Sequence, residues 1–144
     1  MKIKKWKTLD KETKKFFLET KSIKCPAFPG EKVVFTSKGR NHLFYKGARS
    51  ERTLKEINVR VLLLPNATIL LRKMSIPQEE DKTTSKDGKV IRYWAFEGVV
   101  RDRITKVIVR QVGKGNKHFW SVAPAWRKSR FGRRNIRSGR LKNV

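Results

Sequence analysis

At 144 residues the chain has the size of one ordinary domain, and 38% hydrophobic with 10% aromatic content is enough for one core, while 34% charged residues and a mean hydropathy of −0.64 call for polar extensions. Lys and Arg number 37 against 12 Asp and Glu, a formal net charge of +25, so the chain repels itself unless a polyanion or counterions offset the charge, and a nucleic acid is the expected partner. No apolar run approaches the roughly 20 residues of a membrane span, the lysine-rich start has no apolar leader behind it, and one cysteine with two histidines excludes an intramolecular disulfide and a Cys-based zinc site; a cytoplasmic protein with no membrane, metal or cofactor dependence is expected.

In chain order, the basic stretch Lys2 to Lys7 precedes Leu9 to Lys21, where Leu9, Phe16, Phe17 and Leu18 lie among charged residues without Gly or Pro. That spacing predicts a short amphipathic helix. Pro26, Pro29 and Gly30 predict a loop, because a helix crossing them would lose backbone donors. Val33 to Phe35 favours a short strand, and Ser37 to Gly47, punctuated by Gly39 and Gly47, reads as a turn or helix entry carrying polar and aromatic groups. From Ser50 to Leu64 the period changes: Leu54, Ile57, Val61 and Leu64 share one helical face, with Ser50 as the candidate cap. Pro65 ends or kinks this helix, and Ala67 to Met74 predicts a second short one.

Pro77 to Lys89 carries four of the twelve acids among Thr, Ser and Gly, and reads as a solvated loop or the tip of a hairpin. Three strand-like runs follow, Val90 to Val100, Ile104 to Val112 and Lys117 to Val122. The turns between them are short and polar, which predicts antiparallel hairpins, since parallel neighbours need a long crossover. After Trp126, eight of eighteen residues are Arg or Lys and none is acidic, with too little apolar surface to offset chain entropy. The expected fold is α+β: N-terminal helices packed on a C-terminal antiparallel sheet of about four strands, one domain over 1–126. A basic tail over 127–144 is expected to stay disordered until it meets phosphate.

Chemistry at a ribose-phosphate linkage without a metal needs a base for the 2′-OH proton, an acid for the leaving 5′-oxygen, and cations for the charge gathering on phosphorus. His42 and His118, each ringed by Arg and Lys, match that list. Strand alternation sets a condition, because His118, Trp120 and Val122 point one way and Phe119 and Ser121 the other. His118 and Ser121 therefore share a site only if the strand ends or bulges between them. Arg110, on the neighbouring run, is shaped for a phosphate contact, and Arg60 sits at the edge of the helical apolar stripe. Each has a plainer reading: a histidine in a strand is more often hydrogen-bonded structure than catalyst, and Trp94 and Trp120 more often pack a core than stack on bases.

Ser37-Lys38-Gly39-Arg40-Asn41-His42 with Phe44-Tyr45-Lys46, Arg60 before Leu62-Leu63-Leu64-Pro65, and Arg110-Gln111-Val112 followed by His118-Phe119-Trp120-Ser121-Val122 resemble the phage-associated branch of the barnase, EndoU, colicin D/E and RelE superfamily of small metal-independent ribonucleases. The similarity covers roughly Val33 to Trp126, and the tail beyond has no counterpart in that pattern. It implies an endoribonuclease of toxin or effector type that cuts RNA, tRNA or ribosome-bound mRNA, by attack of the 2′-OH on phosphorus, with no cofactor and with room for a cognate antitoxin or immunity protein. On matching positions, the resemblance implies His42 as general base or acid, Lys46, Arg60 and Arg110 on phosphate, and His118 or Ser121 completing the site beside Trp120. Lys38, Arg40 and the tail residues Arg127, Lys128, Arg130, Arg133 and Arg134 are expected to hold the RNA. The competing reading is a noncatalytic RNA-binding or ribosome-associated protein. A DNA-binding regulator is the weaker third, since Ala67 to Met74 is too apolar for a base-reading helix.

Overall fold

The computed structural model of the chain describes residues 2–46, 50–125 and 141–144. Helix α1 (Trp6–Thr20) begins earlier than the apolar spacing indicated and buries Leu9, Thr13 and Phe17, one residue per turn on one face. Two short strands follow, β1 (Ser22–Lys24) and β2 (Lys32–Val34), and then α2 (Ser37–Phe44), which turns the expected helix entry into two full turns. A small ladder joins β3 (Tyr45–Lys46) to β4 (Ser50–Glu51). Ser50 is thus a strand residue opposite Lys46 and does not cap the next helix. Thr53 does: its side chain accepts from the Glu56 N–H at the start of α3 (Leu54–Leu62), in the Thr-x-x-Glu spacing of a capping box. Pro65 falls in the first turn of α4 (Leu64–Lys73), where a missing N–H costs nothing, so the second helix starts ahead of the proline instead of two residues after it.

The sheet differs from expectation in size and direction. Its six strands run in the order β1-β2-β8-β7-β6-β5, with β5 (Glu79–Thr84), β6 (Val90–Val100), β7 (Arg103–Val112) and β8 (His118–Pro124) forming the antiparallel C-terminal part. The N-terminal strands extend it, and β2 lies parallel to β8 through Val34 and His118. Helices α2, α3 and α4 intervene between those two strands, which supplies the long crossover a parallel pair requires. Of the acidic segment expected as a solvated loop or the tip of a hairpin, Glu79–Thr84 is β5, paired antiparallel with β6 in a hairpin whose tip follows Thr84. Charged residues have weak strand propensity, but an eleven-residue neighbour offers a continuous ladder, and charge on an edge strand suits its solvent-facing side.

Alternation divides the sheet into two faces. On one, Trp94, Phe96, Val107, Val109, Phe119 and Val122 meet Leu9, Phe17, Leu43, Phe44, Ile57, Leu64, Leu70 and Leu71 of the helices in the main core. The other face carries Tyr93, Ala95 and Ile108 in a smaller cluster, closed by Leu141 from a single 3₁₀ turn, Leu141–Asn143. Leu141 is 5% exposed, so the end of the basic tail is fixed by an apolar anchor that composition alone undervalued, with Lys142 and Asn143 left exposed. Arg127, Lys128, Arg130, Arg133 and Arg134 lie outside the described residues. Among the described residues, no helix is long and apolar enough to cross a membrane.

Candidate functional site

Strand β8 bulges at Trp120. Its register against β7 pairs Arg110 with His118 and Val109 with Phe119, then shifts so that Ile108 pairs with Ser121. The extra residue restores alternation one step late, which leaves Phe119 and Val122 on the core face and brings Ser121 to the face of His118, Ile108 and Arg110. This is the condition under which the two sequence candidates share a site.

Helix α2 delivers His42 to the same place. Gly39 allows its approach: a Cβ there would fall inside the van der Waals shell of the Phe119 carbonyl oxygen, so only glycine lets the helix lie against the bulged strand. Three residues on, the His42 ring stacks on Trp120 with centroids 4.1 Å apart and planes inclined by 17°. The Arg110 guanidinium lies 3.8 Å from the centre of the same indole. Two groups that close to one ring centre fit only on opposite sides of it, so imidazole, indole and guanidinium form a three-layer stack.

Hydrogen bonds tie the stack to its surroundings. Arg110 Nε donates to His118 Nε2 at 2.9 Å, and the Arg110 guanidinium is also bonded to Tyr93. Arg60 Nη1, reaching from α3, donates to Ser121 Oγ at 2.9 Å and to the Val122 carbonyl at 3.1 Å. Arg52 Nε donates to the His42 carbonyl at 3.0 Å, while its Nη2 stands 3.3 Å from His42 Nε2. Each imidazole thus turns an acceptor nitrogen toward an arginine, which leaves its remaining proton on Nδ1.

Burial and charge act together on these rings. His42 is 5% exposed and His118 6%. Burial, and then the fields of Arg52, Arg60 and Arg110, push the His42 pKa down to about 3. For His118, burial and then Arg110 push it down to about 4, with Lys38 adding in the same direction and a backbone hydrogen bond at Asn116 opposing. Both imidazoles are neutral at pH 7 in this state.

Compared with protein-family models, curated proteins and solved structures, the chain matches none.

Of the residues singled out from sequence, His42, Arg60, Arg110, His118, Trp120 and Ser121 converge here. Lys38 stands at the margin, exposed but with its charge felt at His118. Arg40 is engaged elsewhere, in an ion pair with Asp10 at 2.8 Å that ties α2 to α1. Lys46 is exposed and faces Glu56 at 3.9 Å. Trp120 has both ring faces covered, so it packs the site and offers no open surface to a base. Arg52 and Tyr93 are members that sequence reasoning missed. Among 37 basic residues an arginine between a strand and a helix carries no distinguishing signal, and Tyr93 was legible only as one half of the alternation with Trp94.

Proposed function

We propose that the protein is a metal-independent endoribonuclease, of toxin or effector type, working at the bulge of β8. The observation that carries this reading is the bulge, which brings Ser121 to the face of His118 and Arg110 beside the indole on which His42 of α2 stacks, with Arg52 bonded to His42 and Arg60 to Ser121. A phosphodiester entering the cluster draws Arg110 toward its oxygens, because a charge-assisted bond to phosphate is stronger than one to a neutral imidazole. That exchange frees His118 Nε2, and the incoming negative charge raises the pKa of both rings. His42 then accepts the 2′-OH proton as the 2′-oxygen bonds to phosphorus. The bond from phosphorus to the 5′-oxygen breaks, and protonated His118 delivers a proton to that oxygen. The products are a 2′,3′-cyclic phosphate and a 5′-hydroxyl. Arg60, held through Ser121, stabilises the charge on the phosphoryl oxygens.

Incubation of the purified protein with RNA in EDTA is expected to yield fragments ending in 2′,3′-cyclic phosphate, and His42→Ala to slow cleavage by about 100-fold or more. Undiminished cleavage by that variant would remove His42 from the chemistry. The engagement of both acceptor nitrogens by arginines favours a second reading, a noncatalytic RNA-binding or ribosome-associated protein in which the histidines are structural. RNA that stays intact on prolonged incubation, with tight and salt-sensitive binding, would select it.

A further inference from the structure

The smaller cluster on the second face of the sheet is not empty ground beside the site. Leu141 enters it between Tyr93, Ala95 and Ile108, with Ile91, Trp120 and Val144 packed around them. The Leu141 N–H donates to Asp81 Oδ2 at 3.2 Å, fixing the segment to β5. From that anchor the chain runs over the site. The Lys142 carbonyl accepts from Trp120 Nε1 at 3.2 Å, and the Val144 carbonyl accepts from Arg52 Nη2 at 3.4 Å. Two residues that build the stack and position His42 thus give donors to this segment.

We infer that Leu141–Val144 is an internal occupant of the nucleic-acid site: its leucine fills an apolar seat fit for a nucleobase, and its carbonyl oxygens accept from Trp120 and Arg52 where phosphate or ribose oxygens of a single-stranded RNA would accept. The inference rests on the proposed function for the identity of the competing ligand, but it concerns access to the site and not the chemistry in it. An apolar side chain flanked by oxygen acceptors presents the same alternation as a base flanked by backbone oxygens. The seat pairs a Tyr ring with Ile and Ala side chains beside an arginine cluster, which combines an apolar surface for a base with cations for its backbone. Segment and strand exclude one another, because both need the Arg52 and Trp120 donors. Occupancy by the segment then lowers apparent RNA affinity by the fraction of molecules in which it has left.

The test uses the full chain with Leu141→Ser, which removes the apolar anchor without adding charge, and Leu141→Ala as a milder second variant. Binding is read by fluorescence anisotropy with a short labelled 2′-O-methyl oligonucleotide, which lacks the attacking hydroxyl and so separates affinity from cleavage. If the segment is displaced in about one molecule in ten of the unmodified protein, Leu141→Ser should tighten binding by roughly 10-fold, and Leu141→Ala by less. The gain should shrink in an Arg52→Gln background, where segment and oligonucleotide no longer compete for that donor. Unchanged or weaker binding by both Leu141 variants, with thermal unfolding showing each still folded, overturns the inference. So does a gain of unchanged size in Arg52→Gln, since the effect would then not come from competition for that donor. Cleavage of unmodified RNA without any gain in affinity would sustain the nuclease and remove the internal occupant. The gain without cleavage would do the reverse.

Discussion

Two buried imidazoles that stay neutral make folding sensitive to mild acid. The unfolded chain binds a proton at each histidine near pH 6.5, whereas the folded chain resists protonation until about pH 3 at His42 and about 4 at His118. Above about pH 7 neither state carries these protons and stability is fully present. As pH falls from 6.5 toward 4 the unfolded state binds more protons, so stability falls by about 1.4 kcal/mol per pH unit for each histidine. Thermal unfolding at pH 7.5 and pH 4.5 is expected to show a marked drop in midpoint, much reduced in a His42→Gln, His118→Gln double variant. Equal drops in both proteins would mean that the acid sensitivity comes from other groups. Arginine and histidine also divide the labour here: a guanidinium keeps its charge on burial, and it is the imidazole that gives way.

At the scale of elements, the site depends on one helix lying against one strand. Gly39 sets the separation between α2 and β8, and the backbone it faces at Phe119 adjoins the bulge that inserts Trp120. Gly39→Ala is therefore expected to cost about 1–3 kcal/mol or more, because the new methyl meets a carbonyl that cannot move without disturbing the ladder. The loss should appear in urea unfolding, and the displaced helix should separate His42 from Trp120, changing the indole fluorescence. A variant of full stability with unaltered fluorescence would show that α2 docks less tightly than described. Arg40 serves the same assembly from the other side, through its ion pair with Asp10 of α1.

Over the whole molecule, a net charge of +25 makes association with a polyanion depend on salt. Each phosphate neutralised on a single strand contributes about −0.7 to the slope of log affinity against log salt. Replacing Arg127, Lys128, Arg130, Arg133 and Arg134 by Gln should flatten that slope by about 3.5 if all five meet phosphate. This replacement is a cleaner experiment than truncation after Trp126, which would remove the tail charges and the segment packed on the second face together. A slope that does not move would take those five residues out of the RNA contact.

Composition, periodicity and turn chemistry were enough to read a basic α+β protein, its long strands Val90 to Val100 and Ile104 to Val112, and most residues of the site. These signals are local: they need only the pattern within a window of chain. The same locality explains what went unread. No spacing rule tells that Ser22–Lys24 and Lys32–Val34 join a sheet formed mostly some sixty or more residues later, or that acidic Glu79–Thr84 pairs with β6, because partners supply the ladder that weak propensity does not. The burial of Leu141 was hidden for a related reason, since its seat is built by Tyr93, Ala95 and Ile108 from two other strands. Charge and residue type came from the sequence alone. Which arginine faces which imidazole, and which neighbour covers them, was decided by the bulge and by the helix docked on it, through contacts between segments far apart in the chain.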